Sequence, residues 1–296
     1  MSEIVETAAV AQARSARRLR LPSDWPSQLA SMAVLALGAL IMLLPFIWMV
    51  TTSLSRKANQ SMPRVPSFWP ADPSLFNYTV AAGSLPIGQY YLNSLIVVGL
   101  TTFGYLFFSA IAGYAFAKGR FPGKTVLFIV FLSTLFIPFE TRMIPLYHQM
   151  ADLGLTNTYW ALILPFLAGG FGTFLMRQAI SSIPDELIEA ARIDGASEFR
   201  IFWQIILPLA RPALMVVGLF QFMATWNDFM GPLIFLTNQK DFTLALGLQL
   251  YQSKAGNTPW SHLMAASTLV VTPVLLLFML SQKSFVQGIA AQGLKE

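Results

Sequence analysis

Six stretches of this chain are predominantly apolar and about twenty residues long, and no other feature restricts its fold so tightly. A helix rises about 1.5 Å per residue, so about 20 residues cross a hydrocarbon core about 30 Å thick. The stretches lie at Leu29–Leu54, Asn93–Ala117, Val126–Leu146, Tyr159–Met176, Leu209–Met230 and Leu263–Leu280. Pro138 and Pro145 fall near one end of the third. Only 11% of the 296 residues are charged, while 55% are hydrophobic. A soluble domain usually carries about 25% charged residues, and a water-soluble fold of this size could not hide so much apolar surface. The reading is all-α: a polytopic membrane protein with six transmembrane helices over residues 29–283, flanked by polar tails at 1–28 and 284–296.

Lys and Arg placement orients the bundle. With the N-terminal tail (Arg14, Arg17, Arg18, Arg20) placed in the cytoplasm, thirteen of the 19 basic residues fall inside and six outside. Both termini are therefore expected in the cytoplasm, with Arg56 and Lys57 as the main dissent. The outside segment Ser55–Leu92 is proline-rich and carries Phe68, Trp69, Phe76 and Tyr78. Trp69, Tyr90, Tyr91, Tyr159, Trp160 and Trp260 fit an aromatic belt at the membrane surface.

Several chemistries are excluded or disfavoured. The chain has no cysteine, which removes thiol catalysis, disulfides and Cys-based metal sites. Its two histidines, His148 and His262, are far apart and lack paired carboxylates or HxxxH spacing, so no metal site is expected. The net charge of +5 comes without a basic, aromatic-lined run, so nucleic acid is not an expected partner. Gly119-Arg120-Phe121-Pro122-Gly123-Lys124-Thr125 nearly mimics a phosphate-binding loop. It has three residues between the glycines where four are required, and it joins two spans. It reads as a basic turn.

The informative stretch lies between the fourth and fifth spans, at about 182–206. Asp185, Glu186, Glu189, Asp194 and Glu198 cluster there, out of 14 acids in the chain. Ser182 or a neighbour can cap a helix, Pro184 suits its first turn, and Asp185 and Glu186 favour the positive end of its dipole. Leu187, Ile188 and Ala191 make an apolar stripe. Gly195 can end the helix in the left-handed conformation, and Ser197 can cap a second helix through Phe199, Phe202 and Trp203. A short amphipathic helix–turn–helix is expected on the cytoplasmic side. A helix lying on lipid would favour Lys and Arg on its polar face, so an acidic knuckle fits a docking element better.

Glu189-Ala190-Ala191, Asp194-Gly195-Ala196 and Leu207-Pro208 together resemble the EAA signature of ABC importer permeases. Asn77-Tyr78, Asn93-Ser94, Ala112-Gly113-Tyr114-Ala115-Phe116-Ala117 and Phe121-Pro122-Gly123-Lys124 resemble its carbohydrate-importer, maltose-permease-like branch. So do Gly154-Leu155, Trp226-Asn227-Asp228-Phe229 with Pro232-Leu233, and Gly247-Leu248. The similarity covers Leu29 to Gly293, and the tail before Leu29 departs from the pattern.

The resemblance implies a coupling helix seated in a cleft of a separate ATPase. Glu189, Ala190, Ala191, Asp194, Gly195, Ala196, Ser197 and Phe199 would transmit ATP-driven closure to the spans. It implies three protein partners: an ABC ATPase dimer, a second homologous permease subunit, and a periplasmic or lipid-anchored solute-binding protein. The setting would be the bacterial cytoplasmic membrane. ATP and Mg would be used by the ATPase, with no catalytic residue and no cofactor in this chain. Phe222, Trp226, Asn227 and Asp228 are candidates for the substrate pathway, since flat aromatics stack on sugars and carboxylates bind hydroxyls. A helix-end cap with an interfacial Trp is the alternative. Gly231–Ser261 reads either as a segment that reaches the binding protein or as a plain connection. The expected substrate is a sugar or oligosaccharide; a non-sugar solute such as glycerol 3-phosphate is the alternative. An intramembrane enzyme or a secondary transporter would need more intramembrane charge than the spans carry.

Overall fold

The structure is a computed structural model and describes residues 25–56, 66–70, 72–84, 86–254 and 260–293. Most of the expected N-terminal tail lies outside these residues. The chain separates into two units, Met1–Met49 and Val50–Glu296. The first contributes most of α1 (Trp25–Ser53), a 29-residue apolar helix with Pro45 inside it.

In the second unit, α2 (Phe76–Ser84) precedes α3 (Ile87–Lys118), an unbroken helix of 32 residues. Then come α4 (Lys124–Ser133), α5 (Phe139–Asp152), α6 (Trp160–Ile163) and α7 (Gly170–Ser181). Next are α8 (Asp185–Ile193), α9 (Glu198–Ile201), the three-residue α10 (Leu207–Leu209) and α11 (Arg211–Trp226). The chain closes with α12 (Met230–Phe235), α13 (Leu244–Lys254) and α14 (Trp260–Gly293).

Among the described residues three helices, α1, α3 and α14, are long and apolar enough to span by themselves. The other expected spans are bent pairs, which brings the number to six when each pair counts once. The third expected span turns by 102° between α4 and α5. The cause is Pro138: Ile137 before it is extended (φ −91°, ψ 109°), as a residue preceding proline tends to be. The stretch from α9 to α11 bends by 77°. Its break falls at Ala210, between Pro208 and Pro212, after a π-helical turn over Phe202–Ile206. A proline inside a helix removes one bond and crowds the carbonyl four residues back, and a widened turn relieves that crowding. α14 runs past Leu280, the expected end of the sixth span, to Gly293.

The most extensive packing in the second unit is α3 against α7. Small residues allow it. A Cβ added at Gly113 would sit 2.5 Å from the Met176 Cβ and 3.0 Å from the Arg177 amide nitrogen. The buried Tyr105 hydroxyl accepts the Gly172 N–H at 2.9 Å. Two apolar clusters result. One gathers Tyr90, Val97 and Val98 of α3 with Leu162, Trp226, Phe235, Leu246 and Ala265. The other gathers Tyr105 and Ala110 of α3 with Met176, Ile180, Ile188, Ile201, Ile206 and Val217. Tyr90 is thus core and not part of a surface belt, whereas Trp69 is 82% exposed.

Asn77, inside the family-like pair Asn77-Tyr78, is fully buried and its Nδ2 donates to the Ser53 and Ser55 carbonyls at 2.8 and 2.9 Å. The neighbouring Tyr78 hydroxyl lies 2.7 Å from the Ser53 Oγ. Both residues pin the chain just after α1.

Candidate functional site

The 182–206 segment folds as its residues lead one to expect. α8 starts after Pro184 with Asp185 and Glu186 in its first turn. Ser182 does not cap it; its hydroxyl donates to the Ala179 carbonyl at 2.8 Å. The C-terminus is a Schellman close. Ala196 N–H donates to Ala191 O at 2.9 Å, Gly195 N–H to Arg192 O at 3.0 Å, and Gly195 has φ +78°. Gly154 closes α5 in the same way, with φ +69°. The Ser197 hydroxyl accepts the Arg200 N–H at 3.3 Å and caps α9.

Two faces separate on this knuckle. Ile188 is 3% exposed, and Ala191 and Ala196 pack on the cluster beneath. Glu189, Ala190, Asp194, Gly195, Ser197 and Phe199 are all exposed. Ile193 and Phe199 are 86% and 74% exposed, a large apolar display for two neighbouring turns.

The knuckle is held by polar bonds that sequence reading had not placed. Lys118, at the end of α3, has a side chain only 10% exposed. Its Nζ donates to the Ile183 carbonyl and to Asp185 Oδ1, each at 2.5 Å. Four residues earlier, the Tyr114 hydroxyl donates to Glu198 Oε2 at 2.8 Å, and Arg192 Nε donates to Glu198 Oε1 at 2.8 Å. A cleft of about 670 Å³ lies between the end of α3 and α8, and Lys118, Asp185, Arg192 and Glu198 line it. These four satisfy one another. The basic turn behaves similarly: Lys124 Nζ donates to the Ala117 and Gly119 carbonyls at 3.0 and 2.9 Å.

Lys118 holds the Asp185 carboxyl below its ordinary range, first through the hydrogen bond and then through its charge. Arg192, followed by the Tyr114 hydroxyl, does the same for Glu198. Lowered carboxyl values stabilise the fold fully above the ordinary carboxyl pKa, and that contribution fades as pH falls through the lowered value. Hydrogen exchange of the 185–200 amides, corrected for intrinsic rates, is therefore expected to be flat above about pH 5 and to rise below about pH 4. A flat profile down to pH 3 would mean these carboxylates hold nothing.

The second candidate site divides. Phe222 and Trp226 stack on each other, ring centroids 5.5 Å apart and planes 9° apart. Trp226 is 3% exposed, its Nε1 donates to the Val270 carbonyl at 3.1 Å, and Tyr91 lies against it. These two residues face α14. Asn227 turns back to the Met223 carbonyl at 2.8 Å. Of the four, Asp228 lines a cavity. That cavity, of about 330 Å³, is bounded by Gln221, Thr225 and Asp228 on one side and by Glu140 and Arg142 of α5 on another. Asp228 Oδ1 also accepts the Gly231 N–H at 3.1 Å, which caps α12. Gln221 and Thr225 share one face of α11, with Asp228 just past its end, and 222 and 226 share the next, so grouping by sequence adjacency mixed two faces. Gln221 and Thr225 were missed for that reason.

Residues 106–291 match the family described as "Binding-protein-dependent transport system inner membrane component". That is well over half of the chain. It belongs to this permease family. The probable ABC transporter permease protein YurM of Bacillus subtilis strain 168 is 36% identical, over 85% of this chain and 83% of that protein. The arabinooligosaccharides transport system permease protein AraQ of the same strain is 34% identical, over 87% and 92%. The sn-glycerol-3-phosphate transport system permease protein UgpE of Yersinia pestis bv. Antiqua, strain Antiqua, is 33% identical, over 86% and 93%. In the crystal structure of a bacterial ABC transporter that imports the acidic polysaccharide alginate, one chain superimposes with a TM-score of 0.76. It is 24% identical, and the match covers 90% of this permease and 99% of that chain. The permease is thus a multi-pass inner-membrane component of a binding-protein-dependent ABC importer, of the carbohydrate-uptake type. It is not the catalytic subunit, and permeases of this family bind no cofactor themselves.

Proposed function

We propose that the permease forms half of the translocation pathway for a neutral sugar or oligosaccharide, and that its α8 knuckle docks into a separate ATPase. The exposed face of Glu189, Ala190, Asp194, Gly195 and Phe199, set on a buried base, carries this reading. A surface of low relief edged by acid and capped by two bare apolar side chains suits a cleft in a partner protein, not lipid headgroups. The knuckle then lies in the cytoplasm, as do both termini. The assembly holds an ATPase dimer that uses ATP and Mg, a second homologous permease, and a solute-binding protein on the outer side. Glu189, Ala190, Asp194, Gly195, Ser197 and Phe199 are the docking residues, and Ala191 and Ala196 seat the knuckle on the bundle. ATP binding favours one arrangement of the ATPase, and the docked knuckle moves with it, biasing the pore between inward- and outward-facing states.

Substrate contact falls to Gln221, Thr225 and Asp228. At about 330 Å³ their cavity sits at the low end of small-molecule sites, which run from about 300 to 1,000 Å³. Two carboxylates, Asp228 and Glu140, face a single cation, Arg142, and that balance disfavours an anion. Asp228→Asn keeps the oxygen that caps α12 and removes the charge. It is expected to lower sugar uptake about tenfold, the value of one charge-assisted hydrogen bond, with the complex assembled in normal amount. Wild-type uptake by this variant would return Asp228 to a purely capping role.

One observation favours a second substrate class. Arg142 reaches the cavity, and a relative 33% identical is named for sn-glycerol 3-phosphate. Competition of unlabelled arabinan oligosaccharides and glycerol 3-phosphate against each other in uptake assays separates the two. The first reading requires inhibition by the saccharide alone.

A further inference from the structure

α3 is bonded at both ends to the two segments that a transport cycle must keep in step. It has no internal proline, and its 32 residues give a rod about 48 Å long. At one end Lys118 and Tyr114 grip Asp185, the Ile183 carbonyl and Glu198 of the knuckle. At the other, Asn93 Nδ2 donates to the Lys240 and Phe242 carbonyls at 2.8 and 3.0 Å. The adjacent Ser94 Oγ accepts the Leu244 N–H at 2.8 Å. Asn93 and Ser94 are 1% and 2% exposed. Three bonds from two neighbouring residues thus fix the backbone of Lys240–Leu244.

These bonds are not what packing alone asks for. An amide buried in an apolar bundle carries a desolvation cost unless fully engaged, and apolar side chains would fill the same space without it. What the polar groups add is register: the far segment cannot slide along α3 without breaking all three bonds. The covalent route from the knuckle does not offer the same stiffness. It passes through the π-helical turn at Phe202–Ile206 and the 77° bend before α11.

We propose that α3 is a strut that carries the state of the docked knuckle to the segment Gln239–Gly247. Lys118 and Asn93 are the positioning residues at its two ends. This rests on the docking reading given above, under which Gln239–Gly247 lies on the outer side.

The test uses the assembled transporter in lipid nanodiscs, with partner cysteines replaced. The permease has no cysteine, so Lys240→Cys places a single nitroxide on the exposed side chain of the far segment. The probe is ATP without magnesium, which binds and is not hydrolysed. The nitroxide spectrum is expected to shift on ATP addition, and Lys118→Asp or Asp185→Lys is expected to abolish that shift. Lys118→Arg, which keeps a donor for both the Ile183 carbonyl and Asp185, retains the shift, and the ATPase co-purifies with every variant, so a lost shift is not a lost assembly. Ser94→Ala, a mild change at the far end, reduces the shift with the ATPase still bound. An undiminished shift in the single reversals or in Ser94→Ala overturns the strut. So does loss of the shift in Lys118→Arg with the ATPase still bound. A transporter that retains no ATPase even around the unsubstituted permease ends the docking reading itself, and co-purification shows this before any spectrum is taken.

Discussion

Gly195→Val is expected to leave the permease in the membrane at normal abundance and to abolish uptake. Gly195 holds φ +78° at the close of α8. The left-handed region costs an ordinary L-residue about 1–2 kcal/mol, and a β-branched one is a clear outlier there. A valine would push the residue toward negative φ and break the two closing bonds, Ala196 to Ala191 and Gly195 to Arg192. The knuckle's exit direction would then change, and with it the placing of Ser197 and Phe199 relative to Glu189 and Ala190. Nothing lies within 4 Å of a Cβ built at Gly195, so backbone conformation and not crowding is the cause. Gly195→Asn, which tolerates the left-handed region, should retain most uptake. Equal uptake by the valine variant, with ATP hydrolysis still tied to transport, would show that the shape of this turn is unimportant.

Gly113→Leu is expected to act earlier, on assembly. The α3–α7 interface closes at Gly113, where a Cβ would meet the Met176 Cβ at 2.5 Å and the Arg177 backbone nitrogen at 3.0 Å. A side-chain tip could swing aside; a backbone cannot. Overpacking costs about 1–3 kcal/mol in well-packed cores, and a whole isobutyl group against backbone belongs at the upper end. The helices would have to separate, breaking the Tyr105–Gly172 bond and the bond from Arg177 Nε to the Phe116 carbonyl at 3.3 Å. The expected result is loss of permease from the membrane fraction, recovered in part at lower growth temperature. Normal abundance with normal uptake would mean that α3 and α7 do not meet as closely as described.

The two glycines show what a sequence can disclose by itself. The end of α8 was legible because its determinants are local: Ala191, Gly195 and Ala196 lie within six residues, and only one backbone geometry suits them. The six apolar runs were legible because hydropathy needs no knowledge of neighbours. The breaks in the third and fifth spans had local causes too, at Pro138 and at Pro208 with Pro212, yet a hydropathy window passes over them. The bonds that hold the knuckle were not legible. Lys118 and Asp185 are 67 residues apart, and Asn93 and Lys240 are 147 apart. Their pairing depends on how α3 and α7 pack, which no short pattern records. The pathway residues failed on a finer scale. Trp226 stood out by type, but one position on a helix turns the side chain by about 100°, and the cavity is faced by Thr225 instead.

Access to Ala190 tests the central claim most directly. Ala190→Cys would be the permease's single thiol, on the exposed face of α8. A membrane-impermeant maleimide is expected to label it in inside-out vesicles and not in intact spheroplasts. A short bifunctional reagent is expected to join it to the ATPase subunit, with or without ATP, since the docked knuckle moves with its partner. Labelling from outside intact spheroplasts, or an ATPase never captured at any reagent length, would contradict the account.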